Sequence, residues 1–266
     1  MEDKSGEAAA LFSQLAGLLA GFSFAALIAI VTVRLTAKST EQQLTVAYRP
    51  LTSAFLALVA SSANYAVVRL EAPFSGRSVA VNSTAALGLL TAGALLLFSI
   101  LVTLDSVEAA RPDPTGNGGR AVRMVRRILV LAVPPLFPGM YVPLLQAQEG
   151  VAHGGGSLLH PLLAEIGIVT TLISGCAGVV LFVLRGRLDR GRVGRDLLSV
   201  PGVYVSVGSL LATGAFTVFM PPDGVLPDAV LLAELAVVMT VGALTASAAA
   251  RFHAAQRIGV RETAER

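Results

Sequence analysis

The chain has 266 residues, 54% of them hydrophobic and 14% charged, with a formal net charge of +3 and a mean hydropathy of +0.73. Soluble domains carry about 25% charged residues, so this composition excludes a soluble globular fold. The basic balance does not point to nucleic acid, because the arginines stand beside apolar runs, where they act as topology signals.

Between the charge clusters lie runs of roughly 18 to 25 nearly uncharged residues, the length needed to cross about 30 Å of hydrocarbon as a helix. The predicted spans are about 9–33, 51–68, 84–104, 128–146, 161–184, 202–220 and 229–250. The whole chain, 1–266, therefore reads as a single transmembrane domain: an all-α, multi-pass protein of a cell membrane, built as a seven-helix bundle. Its first partner is the lipid bilayer itself.

Taken in order, the segment Met1–Glu7 is acidic and lacks the basic stretch of a secretory signal, so span one is expected to be retained. Span one carries Gln14, and Gly17 and Gly21 stand at the GxxxG spacing that allows close helix approach; a homo-oligomer is compatible with it. The connection to span two holds Arg34, Lys38 and Arg49. Span two carries Asn64 and Tyr65, and span three ends at Asp105 and Glu108 beside a basic loop, where both are expected to be solvated. That loop, Arg111–Gly119, has the composition of a flexible connector, as do the three glycines 154–156 later on.

Span four contains Pro134, Pro135, Pro138, Gly139 and Pro143, which cannot form a regular helix. Broken backbone at membrane depth is tolerated only where protein or a cavity covers it. Span four is therefore expected to be kinked and to line a pocket. Span five brings Glu165 and the lone Cys176, read as a small packing residue that permits no disulfide within the chain, and span seven brings Glu234. The stretches Leu162–Ile166 and Leu231–Leu235 share the pattern Leu-Leu-Ala-Glu, a weak internal echo.

Orientation follows from the distribution of arginine and lysine. Arg34, Lys38 and Arg49, then Arg111, Arg120, Arg123, Arg126 and Arg127, then five arginines within 185–195, then those of the C-terminal tail fall on one side; the alternating segments hold only Lys4, Arg69 and Arg77. This asymmetry predicts the N-terminus outside and the C-terminus in the cytoplasm.

An ionisable group at the centre of the hydrocarbon costs roughly 2.5 to 3.5 kcal/mol on insertion scales, so each one found there is a candidate for function. Glu165 and Glu234 each lie about five residues into a span, which at about 1.5 Å per residue puts both roughly 7 Å below the outer boundary. Gln14, Asn64, Tyr65 and Tyr141 project to the same level, giving one predicted polar layer. No arginine or lysine lies within a predicted span to pair with the glutamates. Desolvation favours the neutral form of an unpaired carboxyl, so at least one of the two is expected to hold a proton at neutral pH. His153, His160 and His253 have no metal-ligand spacing, and neither a nucleotide-binding loop nor a nucleophile elbow is present, so no metal and no cofactor is expected.

These parts suit acid–base chemistry on a lipophilic substrate. A carboxylic acid protonates an alkene, a second carboxylate takes the final proton, and aromatic faces such as those of Phe22, Phe24, Phe55, Tyr65, Phe137 and Tyr141 hold a cation. In size, span count and the intramembrane acid pair Glu165 and Glu234, the chain resembles the small seven-span membrane-bound terpene cyclases, which close prenyl chains on indole or polyketide acceptors. The resemblance implies a proton-initiated cyclisation of an isoprenoid, with Glu165 and Glu234 as catalytic residues and Gln14, Asn64, Tyr65, Phe137 and Tyr141 around the substrate. Two other readings stay open: a transporter or channel in which the glutamates bind a cation or a proton, for which broken helices are often the site, and a non-catalytic membrane sensor or scaffold.

Overall fold

The computed structural model describes the backbone of residues 4–36, 41–71, 75–110, 117–153, 159–184, 196–224 and 226–264. The expected connectors at 111–116 and 154–156 and the arginine cluster of 185–195 lie outside the described residues, while 117–119, read as connector, open a helix. The elements are α1 (Lys4–Thr36), α2 (Glu41–Val68), α3 (Gly76–Ala110), α4 (Asn117–Arg127), a π-helical turn (Ile128–Ala132), α5 (Val133–His153), α6 (Leu159–Leu184), α7 (Asp196–Phe219) and α8 (Asp228–Ala264). Seven helical segments are long and apolar enough to cross a membrane, at Glu7–Thr32, Tyr48–Val68, Gly76–Glu108, Gly118–Pro143, Glu165–Leu184, Val200–Phe219 and Ala229–Phe252. The protein is thus an all-helical, multi-pass membrane protein, with every backbone polar group of a span bonded inside its own helix wherever the helix is regular.

Helix α3 is the axis. Ala80, Val81, Ala85, Ala92, Ala94, Leu95, Phe98, Leu101 and Val102 bury it on all sides, and α2, α5, α7 and α8 pack around it. Small residues make this possible, because an alanine or glycine on a helix face lets a neighbouring backbone approach closely. Apolar side chains on the outside are the counterpart: Leu11, Leu15, Leu18 and Phe22 on α1, Leu172, Val179 and Val183 on α6, and Leu211 and Val218 on α7 are all exposed on the bundle surface, where a bilayer would solvate them.

Two ends of the bundle are distinguished by their fastenings. At one end Arg77 donates from Nε to Glu71 Oε2 at 2.7 Å and from Nη1 to the carbonyl of Met220 at 3.1 Å, tying the α2–α3 turn to the end of α7. At the far end of α3, Asp105 is buried and meets Arg126 Nη2 at 3.6 Å. This corrects the expectation that Asp105 is solvated. Its carboxylate is held in the bundle by an arginine that the sequence reading placed in a loop and that the structure places in α4, on the same continuous run of helix as span four. Glu108 is half-buried, with its carboxylate against Gly118.

Span four is where the backbone was expected to break, and the irregularity takes a defined form. Pro134 and Pro135 lack N–H groups, so the helical ladder cannot continue through them; the turn just before them widens to a π register, in which the Val133 N–H reaches the Ile128 carbonyl. The Val130 carbonyl, one turn before Pro134, faces Gly178 of α6, where an added Cβ would sit 2.5 Å from that oxygen. Beyond the prolines the chain resumes as α5 with Pro138, Gly139 and Pro143 inside it.

Helices α1 and α2 form a second close pair. Ser13 Oγ donates to the Ser62 carbonyl and Ser62 Oγ to the Ser13 carbonyl, each at 3.0 Å, and Gly17 packs against Ser62. Half of the GxxxG motif therefore serves a contact within the chain. Gly21 instead opens onto a groove of about 540 Å³ lined with Phe24, Phe55 and Val59. This groove lies away from span four and from both glutamates. Cys176, expected to pack inside, is exposed on α6.

Candidate functional site

Helix α8 turns one stripe inward through Leu231, Leu235, Val238, Val241, Thr245 and Phe252, all buried, and this spacing of three and four carries Glu234 into the interior with it. Opposite stands α5, whose Val133, Phe137 and Tyr141 are buried at intervals of four. The third wall is α3 at Ala80, Ser83 and Thr84, also buried.

The three helices converge on one carboxyl group. Tyr141 donates from its phenol to Glu234 Oε2 at 2.5 Å, Ser83 Oγ donates to the same oxygen at 3.1 Å, and Thr84 Oγ1 donates to Oε1 at 2.9 Å. Both hydroxyls on α3 have a second acceptor in reach, the carbonyl of Ala80, at 3.0 Å from Ser83 Oγ and 3.0 Å from Thr84 Oγ1.

A hydroxyl has one proton to give and two lone pairs to receive, and this arithmetic fixes what the cage can do. With Glu234 ionised, all three hydroxyls point at its oxygens. With Glu234 neutral, its own proton goes from Oε1 to Thr84 Oγ1, whose hydroxyl turns to the Ala80 carbonyl, while Tyr141 keeps its bond to Oε2. Either state leaves every donor satisfied, and the change between them needs only a rotation about the C–O bond of Thr84. Burying an ionised or a neutral carboxyl without partners costs several kcal/mol; this cage supplies partners to both.

Of the residues singled out from the sequence, Glu234 and Tyr141 are brought into direct contact. Phe137, one turn from Tyr141 on the same face of α5, is buried in the same apolar cluster as Leu231 and Leu235. Tyr65 is buried on α2 against Ala9 and Ala85, its ring 5.2 Å from that of Phe12. Asn64 is buried where α2 meets α3 and α7, and its amide nitrogen donates to Ser209 Oγ of α7 at 3.1 Å. Gln14 and Glu165 are exposed on α1 and α6; neither joins the cage. The two Leu-Leu-Ala-Glu stretches thus place their glutamates in opposite environments. Ser83, Thr84, Ser206, Ser209 and Thr213 were not anticipated from the sequence, where carboxyls, amides and tyrosines were weighed and the serine and threonine hydroxyls were not. Among the described residues no three His, Cys, Asp or Glu side chains gather in one place; the side chains of His153, His160 and His253 lie outside them.

Compared with known proteins, the chain matches no family model, no curated protein and no solved structure.

Proposed function

We propose that this protein handles protons inside the membrane, with Glu234 as the group that binds and releases the proton and transport of a solute or cation as the process coupled to it. The observation that carries this reading is the cage of three hydroxyls, which satisfies Glu234 in both protonation states with no movement heavier than a hydroxyl rotor. A coupling site has to be stable both loaded and empty. A carboxyl that instead protonates an alkene needs an open face towards its substrate, and here both carboxyl oxygens are occupied by protein hydroxyls.

The orientation belongs to the same proposal. With the arginine-rich segments in the cytoplasm, the Arg77–Glu71 end faces outward, and Glu234, about six residues into α8, lies about 9 Å below that end at 1.5 Å per residue.

A second reading is the cyclisation of a lipophilic isoprenoid with Glu234 as the acid. It is favoured by one observation, the buried aromatic side of Phe137 one turn from Tyr141, which would face a carbocation formed next to the carboxyl. In this reading Glu165, exposed on α6, takes no part as the partner base.

The test is a flux assay. Proteoliposomes holding a pH-reporting dye are given gradients of sodium, potassium and small organic solutes. Solute-dependent acidification or alkalinisation by the wild type and by Glu165→Gln, lost with Glu234→Gln, is the expected result. No proton movement with any gradient, together with an isomeric product of unchanged mass in lipophilic extracts of cells supplied with prenylated aromatic precursors, would replace the first reading with the second.

A further inference from the structure

The interface of α2, α3 and α7 holds polar groups that Glu234 does not use. Asn64, Ser206, Ser209 and Thr213 are all buried there. The last three sit at intervals of three and four, so they form one stripe along α7. Ser209 Oγ donates its single proton to the Ser206 carbonyl at 2.8 Å, so it can only accept from Asn64, and this assigns the amide nitrogen of Asn64 to that contact. The Asn64 carbonyl oxygen is then left over. It has no hydrogen-bond partner, and neither does Ser206 Oγ or Thr213 Oγ1, although all three atoms are fully buried.

Three unpartnered polar atoms in one seam at hydrocarbon depth is a costly arrangement. A buried hydroxyl or amide without a partner costs about 1 to 3 kcal/mol on the scale of protein mutations, and other hydroxyls of this bundle avoid that by turning to their own helix, as Ser61, Thr91 and Thr245 do. Gly88 brings α3 closely against the seam: Ser209 Oγ and Asn64 Nδ2 lie 2.6 and 3.4 Å from where its Cβ would stand. Gly88 stands one helical turn from Thr84, on the same face of α3, and Thr84 is the rotor of the Glu234 cage.

We infer that the α2–α3–α7 seam is a hydrated polar passage, bonded to water through Asn64, Ser206 and Thr213, by which protons reach Glu234 through Thr84. The inference rests on the proton-binding reading of Glu234. Water is the guest that fits, since it offers both a donor to the Asn64 carbonyl oxygen and acceptors to the two hydroxyls, and buried waters typically make about three such bonds. Along the passage each water or hydroxyl accepts one proton and releases its own, so the net change is one proton added to Glu234 and one removed from the bulk.

Silver ion, small and thiol-reactive in water, reports on such a passage. In a Cys176→Ala background, Ser206→Cys and Thr213→Cys are compared with Val207→Cys and Leu211→Cys, which are exposed on the apolar outside of α7. After silver treatment the protein is denatured and the remaining thiols are counted with a maleimide. Blocking at 206 and 213 at least tenfold faster than at 207 and 211 is the expected result; equal rates at all four would overturn the passage. Hydrogen–deuterium exchange at the Glu234 carboxyl, followed by infrared spectroscopy, then tests the link. Thr213→Val and Asn64→Leu should slow it at least tenfold, and unchanged exchange would overturn the route to Glu234. A carboxyl signal that persists in Glu234→Gln, with fast silver blocking in the seam, would instead remove the reading of Glu234 and leave the passage standing.

Discussion

The chemistry of the candidate site turns on which way a few hydroxyls point. Thr84 Oγ1 lies between the Ala80 carbonyl and Glu234 Oε1 at nearly equal distances, 3.0 and 2.9 Å, so it serves as donor to one while accepting from the other. Thr84→Val keeps the shape and removes the rotor. Proton-coupled flux is predicted to fall at least tenfold in Thr84→Val and to stay near wild type in Thr84→Ser, measured in the same liposomes. Tyr141→Phe deletes the 2.5 Å bond to Oε2 and leaves the carboxyl with Ser83 and Thr84; the expected cost is about 1–3 kcal/mol of stability, read as a lower melting temperature in detergent.

Glu234 and Tyr141 were legible from the sequence because depth along a helix is simple arithmetic. Their two partners on α3 were not. Most serines and threonines here bond the carbonyl one turn back on their own helix, as Thr103, Ser106 and Thr240 do, and nothing in the sequence marks Ser83 and Thr84 as the ones that also reach another helix. Glu165 illustrates the same limit. It was expected at the depth of Glu234, yet α6 carries apolar residues on every face, so its sequence gives no signal of which face turns inward.

At the scale of elements, the bundle is held by close approaches that depend on missing side chains. Gly178 is one such case, and the carbonyl it meets belongs to the turn just before Pro134 and Pro135. Gly178→Ala is predicted to cost about 1–3 kcal/mol through overpacking, whereas Gly208→Ala, with nothing within 4 Å of its added Cβ, should be neutral or gain up to about 1 kcal/mol from helix propensity. Thermal melts of the two variants side by side check this. The buried Asp105–Arg126 pair makes the complementary case for charge. Removing one partner, as in Asp105→Leu, leaves a buried arginine without this carboxylate and should cost about 3–5 kcal/mol, while the double change Asp105→Leu with Arg126→Met should recover most of it. Proline positions told from sequence that span four is irregular; they could not tell that the irregularity is a π turn, which depends on the neighbour able to cover the Val130 carbonyl.

For the whole molecule, hydropathy and charge spacing carry most of the information, since the bilayer imposes one length and one bonding requirement on every span. The seven spans fall where the sequence placed them, except that the third and fourth run further, to Gly76–Glu108 and Gly118–Pro143, because buried polar and charged groups such as Asp105 and Arg126 find partners inside the bundle. The orientation is tested by cysteine labelling in the Cys176→Ala background: Gly155→Cys should react from outside in intact cells and Asn117→Cys only after permeabilisation, and the opposite pattern would invert the topology.

Proton handling by this bundle requires Glu234 to exchange a proton inside it, and infrared spectroscopy of the purified protein across pH measures that. The predicted result, in the difference between wild type and Glu234→Gln where the other carboxyls cancel, is a carboxylic acid band that comes and goes with pH, persists in Glu165→Gln and shifts in frequency in Tyr141→Phe and Thr84→Val as a bonding partner is removed. Identical pH-dependent carboxyl spectra for wild type and Glu234→Gln would contradict it.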